Sequence, residues 1–244
     1  MTRSLIERSE GLLKVHGRRI HRFYSTNISS RPVIKVYGLL RTGTNYMTGL
    51  LDLNFNVFCL FSTEEGWKHG PCKFNEKFKF VFIVKDPYSW VFSFWKWEKI
   101  HNRTDSETLT EFLSGPVTQP QLNANWNLVN PITAWNESLR SWRQYQDKDN
   151  VIFVRYEDVI GSLSDQLEQI RTKFNLKPNY AEYRNLQARV DNWKTPIPRP
   201  KLNPDFYRNK EYLHAFTKHD INLMRQHLDA VLVESFGYKV LNTD

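Results

Sequence analysis

Short hydrophobic runs alternate with longer amphipathic segments along the chain, and this alternation predicts the order of secondary structure. Runs rich in β-branched and aromatic residues predict buried strands, and apolar residues recurring every three or four positions predict helices. Predicted strands cover residues 32–38, 56–62, 77–85 and 150–155, and predicted helices cover residues 45–53, 87–100, 106–113, 131–146, 162–175 and 217–234. This order predicts an α/β fold, a P-loop-like parallel sheet with helices on both faces.

The first predicted strand is followed by a glycine-containing loop that opens a helix. Gly38 and Gly43 have the spacing of a phosphate-binding loop, in which backbone N–H groups and a helix N-terminus hold an anion. Thr44 and Asn45 replace the lysine and hydroxyl residue of a P-loop kinase, and the cation Arg41 lies inside the loop. The pattern therefore predicts an anion site and disfavours a kinase. An ordinary strand–turn–helix with tightly packed glycines is the alternative.

The net charge and the aromatic content also bear on the ligand. The chain has 34 Lys and Arg against 26 Asp and Glu, a net charge of +8, which favours an anionic partner. The positive residues are spread along the chain rather than gathered in a run, so no nucleic acid is expected. Aromatic residues make up 14% of the chain, and most of their rings are expected in the core. Tryptophans that could instead provide sugar-stacking platforms are Trp90, Trp95, Trp97, Trp126, Trp135 and Trp142.

The N-terminal segment and the cysteines indicate the compartment. Residues 1–31 predict a basic, amphipathic extension, which ends where Arg31 meets Pro32. It has no continuous apolar core, so no signal peptide is expected, and no segment reaches the ~18 apolar residues of a membrane span. Cys59 and Cys72 make neither a disulfide framework nor a metal site. We expect a cytoplasmic protein with no membrane or metal partner and one domain over residues 32–244.

Three motifs at predicted strand ends resemble those of sulfotransferases that use 3′-phosphoadenosine-5′-phosphosulfate (PAPS). They occur in the family's order, and the resemblance spans about residues 33–240, closest to compact prokaryotic-type members. The motifs are Arg41-Thr42-Gly43-Thr44-Asn45-Tyr46, Lys85-Asp86-Pro87 with Ser93 further along, and Arg155-Tyr156-Glu157-Asp158.

The resemblance implies a role for each motif. Arg41 to Tyr46 would bind the 5′-phosphosulfate, with Tyr46 where the family usually has an adenine-stacking tryptophan. Lys85 and Ser93 would bind the 3′-phosphate, and Tyr156 would lie near the adenine. The family's late basic segment is poorly matched here, and Arg208 is its candidate equivalent. Taken singly, Lys85 also fits a solvated strand-end charge, Ser93 a packing residue and Tyr156 a core tyrosine.

Two residues are candidates for the chemistry. Arg41 stands where cytosolic members carry a catalytic lysine, and its permanent charge could neutralise the leaving phosphate. The segment from Trp67 to Pro71 is similar to the family's K-x-H-x-P segment but one residue shorter between lysine and histidine. His69 is therefore the candidate general base, and a surface-loop histidine is the alternative.

The sequence as a whole predicts a PAPS-dependent sulfotransferase. The expected reaction moves a sulfuryl group from PAPS, as co-substrate, to a hydroxyl or amine of a glycan or small metabolite, and releases 3′,5′-ADP. No metal is required. The alternatives are a non-catalytic nucleotide- or RNA-binding protein and a P-loop kinase. The acceptor and the oligomeric state are left open.

Overall fold

The structure is a computed structural model of the 244-residue chain. It describes residues 31–60, 63, 66–117, 119–126, 130–186, 188–189, 197–198 and 203–243. The predicted N-terminal extension lies outside the described residues, except for its last residue, Arg31.

The central feature is a parallel sheet of four strands. In chain order they are β1 (Val33–Tyr37), β2 (Phe58–Cys59), β3 (Lys79–Val84) and β4 (Val151–Arg155). Their order across the sheet is β2-β1-β3-β4, so β1 and β3 lie in the middle. All three pairings are parallel, as predicted. The edge strand β2 is shorter than predicted, because only two of its residues pair with β1.

Helices follow or precede each strand. Their bounds are Thr44–Asn54, Pro87–Ile100, Leu109–Ser114, Pro120–Asn125, Pro131–Arg143, Tyr156–Gly161, Leu163–Phe174, Pro204–Arg208, Lys218–His227 and Ala230–Ser235, with a 3₁₀ helix at Glu211–Ala215 and a short antiparallel pair at Ala188–Arg189 and Ile197–Pro198. Pro87–Ile100 begins and ends as predicted. Asp86 accepts hydrogen bonds from the backbone N–H of Tyr88 and Ser89, both 3.0 Å, and proline occupies the first helical position. Within the described residues, no helix is long and apolar enough to cross a bilayer.

Both faces of the sheet are covered. Along β1, Ile34 and Val36 face one core, and Val33 and Tyr37 face the other. This alternation is the two-residue period of a strand. The first core includes Met47, Leu50, Leu51, Leu167 and Ile170, and the second includes Phe80, Phe82, Phe94, Trp135 and Trp142. The predicted fold class, a parallel sheet between two helical layers, is confirmed.

The structure departs from the predicted elements near the C-terminus. The helix predicted over residues 217–234 is two helices, because Leu228 adopts an extended conformation between them. The carboxylate of Asp229 then caps the second helix by accepting the N–H of Leu232 at 3.0 Å. The break changes the helical register. As a result, Val231, an apolar residue within the predicted helix, is 69% exposed.

Candidate active site

The loop that joins β1 to the next helix is a tight turn with left-handed backbone. The hydroxyl of Thr42 donates to the carbonyl of Leu39 at 2.7 Å, and the Thr42 N–H approaches the same oxygen at 3.2 Å. Arg41 and Gly43 have φ angles of 68° and 89°. Gly43 is the N-cap of the helix that begins at Thr44, so it provides no side-chain cap, and the first turn carries no acidic residue. The positive end of the helix dipole is therefore available to an anion.

Both glycines of the loop are required by close packing. A Cβ atom on Gly38 would lie 2.7 Å from the backbone oxygen of Ile83. A Cβ on Gly43 would lie 2.7 Å from the ring of Tyr156. The loop thus packs directly on β3 and on the residue that follows β4.

Lys85 lies at the end of β3, 2% exposed. Its Nζ donates to the hydroxyl of Ser93 at 2.7 Å, and it lies 4.9 Å and 5.2 Å from the ring centres of Tyr156 and Tyr207. Both rings are close enough for cation–π attraction. Lys85 is therefore no solvated strand-end charge, and it contacts Ser93, two turns into the next helix.

Burial and charged groups from three segments set the pKa of Lys85, and only the two carboxylates among them favour its charged form. Burial lowers the pKa of Lys85 to about 8; the carboxylates of Glu157 and Asp86 oppose this effect, and the guanidinium of Arg41 adds to it. The loop cation is thus close enough to act on the lysine at the end of β3. Near pH 7 the lysine keeps its proton.

Glu157 connects the residue after Lys85 to the C-terminal segment through two hydrogen bonds. Its Oε1 accepts the backbone N–H of Asp86 at 3.1 Å, and its Oε2 accepts the hydroxyl of Tyr238 at 2.8 Å. Burial raises the pKa of both carboxyl groups, Glu157 and Asp86. Asp158 pairs with Arg155 at 2.7 Å. Glu157 and Asp158, the acidic residues of the motif that follows β4, therefore have structural contacts around the candidate site.

His69 is buried, with 7% exposure, beneath the start of the loop. Its Nδ1 lies 2.5 Å from the carbonyl oxygen of Gly38, which only accepts, so Nδ1 carries the proton and Nε2 is the acceptor. Burial lowers the pKa of His69 to about 3, and the charges of Lys68 and Lys35 add to the effect. The imidazole is neutral at physiological pH, and the surface-loop alternative is wrong.

Lys68 contacts the candidate site, and no role was predicted for it from the sequence. Its ammonium donates to the side-chain oxygen of Asn45, in the first turn of the helix after the loop. Burial lowers the pKa of Lys68 to about 8. The available signal was its place beside His69 in the quoted segment.

The remaining predicted residues lie in different settings. Tyr46 is buried, and its hydroxyl donates to Asn185 at 2.9 Å. Tyr156 is buried against the edge of Tyr207, 5.3 Å between ring centres. Arg208 is exposed and ion-paired with Asp205, whereas its neighbour Tyr207 faces Lys85. The binding role of Arg208 stays a prediction. Tyr207, which contacts Lys85, is a second residue that was not predicted from the sequence.

Comparison with known proteins identifies the family. The model of the sulfotransferase domain matches residues 60–192, more than half of the chain. This chain belongs to the sulfotransferase family. The matched region contains His69, Lys85, Ser93 and Tyr156, and it begins after the loop that holds Arg41.

Solved sulfotransferase structures resemble this sulfotransferase at low sequence identity. A mouse sulfotransferase complexed with PAP is 15% identical, with 66% of this chain and 64% of that chain covered and a TM-score of 0.45. The aligned part is less than two thirds of the mouse chain. A sulfotransferase from Alicyclobacillus acidocaldarius is 12% identical, with 82% of this chain and 98% of that chain covered and a TM-score of 0.44. No curated protein sequence matches significantly.

The predicted sugar-stacking tryptophans are mostly core residues in this sulfotransferase. Trp90, Trp126, Trp135 and Trp142 are 8% exposed or less, so their ring faces are covered by protein. Trp95 and Trp97 are half-buried. The stacking interpretation is therefore wrong for the four buried rings.

Proposed function

We propose that the protein transfers a sulfuryl group from PAPS to a hydroxyl or amine of a small molecule or glycan. The domain that carries this activity would comprise residues 32–244. The observation that carries the proposal is the proximity of two cationic centres, the Arg41 loop and the Lys85–Ser93 pair. PAPS carries phosphate at two positions of its ribose, so its recognition calls for two such centres.

The Lys85 centre fits a phosphate group. The ammonium has three donors, one of which is bound to Ser93, and it lies between two tyrosine rings at the end of a buried strand. A buried cation with a lowered pKa gains a counter-charge when an anion binds. The Ser93 hydroxyl already donates to the Ser89 carbonyl at 2.9 Å, so Lys85 would make the charged contact.

The loop centre fits the phosphosulfate end. The uncapped start of the helix, the guanidinium of Arg41 and the ammonium of Lys68 provide positive charge from separate segments. Charge that develops on a leaving oxygen is stabilised best by donors that are already in place. The Lys68–Asn45 contact and the packing of Gly43 on Tyr156 hold this centre in place.

His69 fits the role of general base by its tautomer. The contact of Nδ1 with the Gly38 carbonyl leaves Nε2 as the proton acceptor. The low pKa makes the His69 imidazole by itself a weak base. Because the charge of Lys68 is one cause of that low pKa, an anion bound near Lys68 would raise the basicity of His69. We propose that donor binding strengthens the base in this way.

The proposal is tested by transfer from radiolabelled PAPS to a panel of alcohols, phenols, amines and sugars. Saturable labelling of at least one acceptor is expected, together with stronger thermal stabilisation by 3′,5′-ADP than by 5′-AMP or ATP. Selective 3′,5′-ADP binding without transfer to any acceptor would favour a non-catalytic nucleotide-binding protein. Equal stabilisation by the three nucleotides would overturn the 3′-phosphate site.

A further inference from the structure

The four buried tryptophans share one hydrogen-bonding pattern. Each donates its indole N–H to a backbone carbonyl rather than to a side chain. The bonds are Trp90 to Leu40 at 2.7 Å, Trp135 to Lys85 at 3.0 Å, Trp126 to His69 at 3.2 Å and Trp142 to Gly70 at 3.1 Å.

All four carbonyls belong to the chain segments that form the candidate site. Leu40 lies in the loop after β1, next to Arg41. Lys85 follows β3. His69 and Gly70 are consecutive residues of the segment that contributes the candidate base, and Trp126 and Trp142 meet edge to face beneath them, with ring centres 6.2 Å apart.

We propose that these four tryptophans are positioning residues, whose indole hydrogen bonds hold the three site segments in their working geometry. This inference rests on the proposed function for the meaning of that geometry. Trp90 would position the phosphosulfate loop, Trp135 would position Lys85, and Trp126 and Trp142 would position His69.

The location of the acceptors explains why side chains are needed there. Carbonyl groups beyond a strand end have left the ladder of the sheet, and irregular backbone must find other partners when it is buried. Indole is a donor only, with a rigid ring that fills a large core volume, so its N–H points at a fixed place. A carbonyl bound by such a ring cannot drift without disturbing the core.

One helix connects two of the segments. Trp135 and Trp142 are both on Pro131–Arg143, seven residues apart and therefore on one face. Through them the helix contacts both the Lys85 carbonyl and the Gly70 carbonyl. The distance between the 3′-phosphate lysine and the base segment is thus set by a single rigid element.

A buried indole that served only stability would also need a hydrogen-bond acceptor. A positioning role is therefore distinguished from a purely stabilising one by a measurement on the individual site segments. We would replace each tryptophan singly by phenylalanine, which keeps an aromatic ring and removes the donor. Trp95→Phe is the control. Its ring is half-buried, and its indole also donates to a backbone carbonyl, that of Ser106 at 3.4 Å, in a segment that the candidate site does not use.

Amide hydrogen exchange provides a readout that does not depend on any ligand. In Trp126→Phe and Trp142→Phe, exchange at Gly70 and Gly38 should increase about tenfold, because these amides are bonded within or to the released segment. In Trp90→Phe, the same increase is expected at Thr42, whose N–H is bonded within the loop. Trp95→Phe should leave all three amides unchanged. Uniform increases across the protein in every variant would overturn the proposal.

Measurements of nucleotide affinity and of turnover then distinguish the roles of the individual tryptophans. Trp90→Phe and Trp135→Phe should raise the Kd for 3′,5′-ADP about tenfold. Trp126→Phe and Trp142→Phe should leave that Kd within about twofold and lower kcat at least about tenfold, because small displacements of a reacting group are costly. Parallel losses of affinity and turnover in all four would overturn the positioning roles. If the wild-type protein shows no preference for 3′,5′-ADP, the proposed function fails, and the exchange pattern still decides whether the indoles hold the segments.

Discussion

Selectivity for the 3′-phosphate should disappear as the pH rises, because it depends on the proton of Lys85. Burial lowers the pKa of Lys85 to about 8, so the lysine is about nine-tenths protonated at pH 7 and only a few per cent protonated at pH 9.5. A bound phosphate dianion favours the protonated form. The affinity for 3′,5′-ADP should therefore fall about 30-fold over this range, which is about 2 kcal/mol.

The assay compares 3′,5′-ADP with 5′-AMP in calorimetric titrations between pH 7 and 9.5. Burial lowers the pKa of Lys68 to about 8 as well, but Lys68 lies at the loop, where the 5′-phosphate common to both nucleotides would bind. Its deprotonation should weaken both ligands equally, so the ratio of the two affinities isolates Lys85. That ratio should fall with pH in the wild type and in Lys68→Met.

Two variants complete the test. Lys85→Met should show the low ratio at every pH, and Lys85→Arg, which keeps its charge, should show a ratio that does not change with pH. A wild-type ratio that stays flat from pH 7 to 9.5 would refute the reasoning, as would a pH dependence that survives in Lys85→Met.

The stability of the unliganded protein should change in the opposite direction. A lysine whose folded pKa lies below its unfolded value holds fewer protons when folded, so the unfolding free energy rises with pH between the two values. For Lys85 this window extends from about pH 8 to about pH 10.4. In urea titrations the wild type should gain about 2 kcal/mol relative to Lys85→Met between pH 7 and 9.5.

Three further predictions concern the loop and the base. Arg41→Ala should lower kcat by about 10²-fold or more with a smaller change in the Kd for 3′,5′-ADP, and Arg41→Lys should keep partial activity; normal kcat with only a raised KM would contradict the catalytic assignment. His69→Ala should lower transfer to alcohols by ~10²–10⁴-fold while 3′,5′-ADP still binds, as measured by initial rates and titration. Near-normal activity would mean that the base lies elsewhere. Gly43→Ala should destabilise the fold by about 1–3 kcal/mol in urea, because a side chain there meets Tyr156 at a φ of 89°, whereas Gly161→Ala, with nothing within 4 Å, should not.

The segments of the candidate site were predictable because adjacent residues in the sequence determine the local structure of each one. A glycine pair after a strand indicates a tight loop, and Asp86 followed by Pro87 indicates a helix start, so the bounds of Pro87–Ile100 follow from adjacent residues. The topology then brings the strand ends to one edge of the sheet. The contact of Lys85 with Ser93 needed no more than helical spacing.

Contacts between distant segments were not predictable in the same way. Lys68 reaches Asn45 from another segment, and Tyr207 reaches Lys85 across more than a hundred residues. No local pattern encodes either approach, because each depends on how the layers pack. The break between the two C-terminal helices was missed for a different reason. The helical period of apolar residues in the sequence continues across it. The break is marked only by the extended Leu228 and by Asp229, which caps the second helix.

The tryptophans show why residue type alone does not assign a role. An indole has two apolar faces and one polar edge, and both suit a ligand platform as well as a core position. Burial decides between them here, since four rings have their faces covered and their N–H edges directed at Leu40, His69, Gly70 and Lys85. In the candidate site the guanidinium of Arg41 lies close enough to Lys85 to lower its pKa, and Lys68 contacts Asn45 at the start of the helix after the loop. Because the four indoles bond to backbone carbonyls, they would hold these segments in place without using the charged side chains themselves.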